Sequence, residues 1–193
     1  MLSKTSINCH YDLYSDKKSD LVTQKNEEYL INFLKHNKDI SFINSYCDLA
    51  KKVIEKFDIQ DDDPRLCISF REDNYRIPIT IGQRYIMNYN YLGTNENFSL
   101  IMNINDQYDD YTKDGLIRVT YFQKKNKDDV PYFRFKKDLN NLIFDDKTIK
   151  QWENAVENEL KRCKKSSYKK HHQSILYKFI TDINFRKRII SEI

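Results

Sequence analysis

Apolar residues recur with two different periods along this chain, and the change of period divides it into three parts. In residues 20–36, Leu30, Ile31 and Leu34 fall at helical spacing. Residues 41–57 are more regular: Phe42, Ile43, Tyr46, Cys47, Leu49, Ala50, Val53, Ile54 and Phe57 trace one face of a helix, with Ser41 as the expected cap. Asp61-Asp62-Asp63-Pro64 then marks a turn.

From residue 65 the period falls to two. Leu66, Ile68 and Phe70 alternate with Cys67, Ser69 and Arg71, and Tyr75, Ile77, Ile79 and Ile81 alternate with Arg76, Pro78 and Thr80. Tyr85, Met87, Tyr89 and Tyr91 follow, then Phe98, Leu100, Met102 and Ile104. Two further strands are expected at 116–123 and 130–136, separated from the fourth by the acidic loop 105–115.

Hairpin register follows from these faces, because a slip of one residue turns every side chain to the other side. A two-residue turn at Asp73-Asn74 sets Ile68 opposite Ile79 and Leu66 opposite Ile81, with Asn74 taking the left-handed conformation. For the second hairpin a three-residue loop, Gly82-Gln83-Arg84, sets Ile81 opposite Tyr85 and Ile79 opposite Met87. The alternation predicts an antiparallel meander with one apolar face and one wet face. The wet face carries Ser69, Arg71, Arg76, Thr80, Asn88 and Asn90.

Helical spacing returns with Ile149, Trp152, Val156 and Leu160, capped by Asp145 or Asp146. After a break at Ser166-Ser167, a last helix is lined by Ile175, Leu176, Phe179, Ile180 and Ile183. The expected fold is α+β: a sheet of about five to six antiparallel strands at 65–136, its apolar face covered by helices at 21–58 and 146–193. With 193 residues, 1–193 reads as a single domain behind a polar segment, 1–20.

Composition narrows the function classes. Aromatics at 13%, with 14 Tyr and 11 Phe, argue for a packed core rather than a disordered chain. No apolar run reaches the roughly 18 residues of a membrane span. No apolar leader opens the chain, so a cytoplasmic location without membrane contact is expected. The cysteines Cys9, Cys47, Cys67 and Cys163 are dispersed, which predicts free thiols. Neither Cys9–His10 nor His171–His172 has chelating spacing, so no metal is expected. Three glycines leave no GxGxxG, P-loop or GxSxG, and no cofactor is expected. Asp63, Glu72 and Asp73, or Asp128 and Asp129, could supply a metal-dependent nuclease with carboxylates, and Lys124 or Lys136 with a base. Such Asp-rich turns also occur for turn reasons alone. No catalytic residue is singled out, and an enzymatic role is not favoured.

The charge is asymmetric. Residues 161–193 hold ten Lys/Arg against Asp182 and Glu192, a net +8 that leaves −4 for the rest of a chain of net charge +4. If this region is helical, Lys161, Lys165, Lys169 and His172 share a stripe, flanked by Arg162, Lys164, Lys170 and His171. Arg186, Lys187 and Arg188 lie further on. Clustered cations are the footprint of a nucleic-acid partner, and Ser166, Ser167 and Tyr168 could add phosphate hydrogen bonds. The plainer account is a solvated face in a lysine-rich chain, 24 Lys to 9 Arg. Arg is therefore the more informative cation, and Arg65, Arg71, Arg76 and Arg84 crowd one short region. Arg71, Arg76 and Arg84 are the expected second contact. The tyrosines at 75, 85, 89 and 91 read as core rather than a stacking platform.

The leading expectation is a non-enzymatic nucleic-acid-binding module. The alternatives are a protein-interaction module, through the basic segment or through Phe185, Ile189 and Ile190 of the last helix, and the metal-dependent nuclease.

Overall fold

The computed structural model describes residues 23–36, 40–73, 75–90, 97–101, 116–119, 132–136, 144 and 146–193. The polar segment 1–20, the acidic loop 105–115, and Asn74, Tyr91, Met102, Ile104, Lys124, Asp128, Asp129 and Asp145 lie outside the described residues.

The class is α+β with antiparallel pairing. Two helices, α1 (Glu27–Leu34) and α2 (Ile40–Lys56), precede the strands. The strands are β1 (Leu66–Ile68), β2 (Ile79–Ile81), β3 (Arg84–Asn90), β4 (Asn97–Ile101), β5 (Leu116–Val119) and β6 (Tyr132–Lys136). Three helices follow: α3 (Asp146–Arg162), α4 (Ser174–Thr181) and α5 (Ile183–Ile190). Strand order is β1-β2-β3-β4-β6-β5, so the sheet departs from a plain meander at its far side, where β6 lies between β4 and β5.

The first hairpin has the expected register, with Leu66 opposite Ile81 and Ile68 opposite Ile79. Tyr75 is left-handed at φ 47°. Its ring lies flat against His36, 4.0 Å between centroids.

The second hairpin corrects the expected loop. Ile81 pairs with Arg84 and Thr80 with Tyr85, so the turn is two residues long. A bulge then restores Ile79 opposite Met87. The extra residue that the faces require is therefore absorbed inside β3, where Ile86 has no partner on β2. Tyr85 consequently sits with Thr80 on the other face, not in a row with Tyr75.

The apolar face is buried as expected. Leu66, Ile68, Ile79, Ile81, Met87 and Leu100 join one cluster with Phe42, Tyr46, Trp152, Val156 and Phe179. Trp152 Nε1 donates to the bulged Ile86 carbonyl at 2.9 Å, and Tyr46 Oη donates to Ile77 O at 2.5 Å. These side chains bury their polar atoms by bonding buried backbone carbonyls.

The helix ends differ from expectation. α2 starts at Ile40, which places Ser41 inside its first turn. The last helical stretch is broken at Asp182, whose carboxylate accepts from Asn184 N and Phe185 N and so caps α5.

Candidate functional site

The basic segment is not a helical stripe. α3 ends at Arg162, and the only helical turn before α4 is a short 3-10 turn at Lys169–His171. Residues 163–173 form a strap tied to the β1 edge. Ser166 N donates to Pro64 O at 2.8 Å, Ser167 N to Gly82 O at 3.1 Å, and Gln173 N to Ile68 O at 2.8 Å. His172 Nδ1 accepts from Ile68 N at 3.0 Å. The strap thus gives the edge strand a neighbour that is not a strand. Tyr168 stacks on Tyr85, 6.2 Å between centroids, which places the strap over the face carrying Thr80.

The expected wet face is corrected here. Ser69, Thr80 and Asn88 are buried, at 8% exposure or less. Burial also pushes the Cys67 thiol up to about 12. Cys47, Cys67 and Cys163 are free thiols.

The expected site residues separate into two groups. Several are engaged within the fold. Arg162 and Arg84 share the buried Glu159, at 2.6 and 3.5 Å. Lys161 pairs with Glu157 at 2.7 Å. Arg76 faces Asp73 at 3.7 Å, and Arg65 forks onto Asp63 with bonds of 2.7 and 3.0 Å. Lys169 Nζ donates to Asp61 O at 3.0 Å. His172 is a core residue: its Nε2 lies 2.8 Å from Asp61 Oδ1, so both ring nitrogens are taken by the protein. Arg186 is buried against Asp48, and Arg188 reaches Glu27 at 2.8 Å.

The second group, Lys164 and Lys165, faces outward from the strap. Lys164 and Lys165 are exposed and form no ion pair among the described residues. Lys170 and His171 are half-buried in the 3-10 turn. Burial, with Arg71 and Lys170, holds the His171 imidazole below its ordinary range. Arg71 and Lys169 also act on Cys67. Arg71 lies far from Lys169 and Lys170 in sequence but shares one electrostatic neighbourhood with them.

Beside Arg71 is a cleft of about 210 Å³, lined chiefly by Lys25, Tyr29, Ser69, Arg71, Glu72 and His171. Lys25 Nζ sits 4.3 Å from the centre of the Tyr29 ring, and the Tyr29 hydroxyl bonds Glu72. Burial, and then that bond, push the Tyr29 hydroxyl up to about 12. Arg71 Nε is buried with no hydrogen-bond partner among the described residues. Lys25 and Tyr29 carry no signal in the sequence, because nothing local ties residue 25 to residue 171.

The alternative surface on the last helix is not available as expected, since Phe185 and Ile189 are buried at 6% and 0% exposure. Among the described residues, no group of three or more His, Cys, Asp or Glu could hold a metal ion, and no helix is long and apolar enough to cross a membrane. Comparison with protein-family models, curated proteins and solved structures gives no match to this chain.

Proposed function

We propose that this chain is a non-enzymatic binding module that holds the phosphate backbone of a nucleic acid along its strap. Lys164 and Lys165 make the contacts, and Arg71 adds one from the sheet. One observation carries this reading: Lys164 and Lys165 stand exposed on the strap with no ion pair among the described residues, while Lys161, Arg162, Arg84 and Arg76 are paired with acids of the fold. Selective pairing leaves a local excess of positive charge, where a merely solvated face would show cations spread evenly among carboxylates. Lysines supply affinity without sequence preference, because they address phosphates rather than base edges.

The test is fluorescence anisotropy with short single- and double-stranded DNA and RNA over a salt series. The double variant K164Q/K165Q should reduce the magnitude of the log–log salt slope by about 1.5, since each phosphate contact contributes roughly 0.7 to 0.9. No binding at low salt, or an unchanged slope in the double variant, overturns the proposal.

A further inference from the structure

We infer that the cleft between the strap and the start of α1 is a subsite for a phosphate monoester, held by Lys25 and Arg71. This deepens the nucleic-acid reading and rests on it for the source of the phosphate, a strand terminus, but not for the chemistry of the cleft.

Three features point to a small dianion. The first is size. At about 210 Å³ the cleft falls below the roughly 300 Å³ at which drug-sized pockets begin. A phosphate group fits such a space.

The second is the donor set. Arg71 presents a guanidinium whose buried Nε lacks a hydrogen-bond partner among the described residues. A buried donor left unmatched is costly, and an anion acceptor would satisfy it. Lys25 approaches from the segment before α1, while Ser69 and His171 line the cleft from β1 and the strap. Donors converging from several directions suit a tetrahedral group, whereas a carboxylate is satisfied by the guanidinium fork alone.

The third is the charge balance. Lys25 and Arg71 face a single carboxylate, Glu72, which already accepts the Tyr29 hydroxyl. The cleft is therefore net positive before His171 is counted. A dianion would also offset the repulsion that Arg71 and Lys170 exert on a protonated His171, so occupancy should raise the histidine's pKa.

Two measurements test the inference. Inorganic phosphate is titrated into the protein at constant ionic strength, with acetate as control, while the Arg71 Nε–H and His171 ring signals are followed by NMR. In parallel, anisotropy compares 5′-phosphorylated and 5′-hydroxyl oligonucleotides of one sequence. The expected result is saturable movement of both signals with phosphate and not acetate, and binding of the phosphorylated strand tighter by about tenfold, equivalent to roughly 1.4 kcal/mol. R71Q and K25Q should each abolish both effects, so the outcome does not depend on one variant folding.

Equal binding of the two strands with no response to phosphate overturns the inference and leaves the backbone reading standing. A response to phosphate without binding of any strand supports the cleft and overturns the nucleic-acid reading, making a free phosphorylated small molecule the source. An equal response to acetate overturns the phosphate assignment.

Discussion

The imidazole of His172 does for Ile68 what a neighbouring strand would do. Nδ1 accepts the Ile68 N–H at 3.0 Å, and the next residue's N–H returns a bond to the Ile68 carbonyl at 2.8 Å. This fixes the neutral tautomer with the proton on Nε2, which donates to Asp61 at 2.8 Å. Protonating Nδ1 would set two donors against each other.

Stability should therefore fall on mild acidification. Burial holds His172, like His171, below its ordinary range. A histidine with a depressed folded-state pKa contributes fully above its unfolded value of roughly 6.5 and loses that contribution as pH falls toward the folded value. Each such histidine contributes a slope of at most about 1.4 kcal/mol per pH unit in that window. Urea unfolding at pH 7.5 and 5.5 measures it. H172Q keeps an acceptor for Ile68 and a donor for Asp61 but cannot titrate, so its pH slope should be shallower. Equal slopes in the two proteins would remove His172 as the cause.

Glu159 is a buried carboxylate, 3% exposed, on which Arg162, Arg84 and the Cys163 thiol converge. E159Q should destabilise the fold by about 1 to 3 kcal/mol, because Arg84 loses its charged partner in a sheltered place while Arg162 can turn to water. Burial and the Glu159 carboxylate both hold the Cys163 thiol above its ordinary range. The same variant should therefore react faster with a thiol reagent at pH 8. A slower or unchanged rate would show that burial alone sets the thiol.

Gly82 occupies φ +61°, and a Cβ there would overlap Cys163 Sγ and lie 2.6 Å from Cys163 Cβ. G82A should lose about 2 kcal/mol or more, from the left-handed backbone and from the collision of the second turn with the strap. Adding C163G should restore part of it, and a double-mutant cycle by chemical denaturation reads that coupling. Additive losses would mean that the close approach carries no energy.

W152F should cost about 2 to 4 kcal/mol in equilibrium unfolding. It empties part of the core and leaves the buried Ile86 carbonyl without its donor. A loss below about 1 kcal/mol would indicate that water replaces the indole.

What could be read from the chain was whatever short-range periodicity encodes. The apolar face of α2, the Trp152–Val156–Leu160 stripe and the Leu66/Ile81 register are patterns in which each residue's partner lies within a few turns or one hairpin. The bulge at Ile86 was invisible because alternation constrains which face a residue takes, not where an extra one is stored. The break at Asp182 was missed because Asp182 caps a helix that begins directly after another ends, so apolar spacing runs on across it. The strap was illegible for a different reason. His172 and Ile68 are 104 residues apart, and a histidine in a basic run looks like part of the charge. Only the fold separates Lys164 and Lys165, which face solvent, from Arg162 and Arg84, which do not act as free cations.

The strap has a consequence for how the chain is made. Ile68 leaves the ribosome 105 residues before Gln173, the residue that closes over its carbonyl. At roughly 5 to 20 residues per second, β1 waits about 5 to 20 s for that partner. Through this interval the first hairpin carries an open edge and a Cys67 thiol not yet buried, both of which invite wrong association. Gln24, bonded to Ser174, and Lys25, bonded to Gln173, wait longer still. Final closure joins segments nearly 150 residues apart, so the completed fold is reached late and through long-range contacts that slow it.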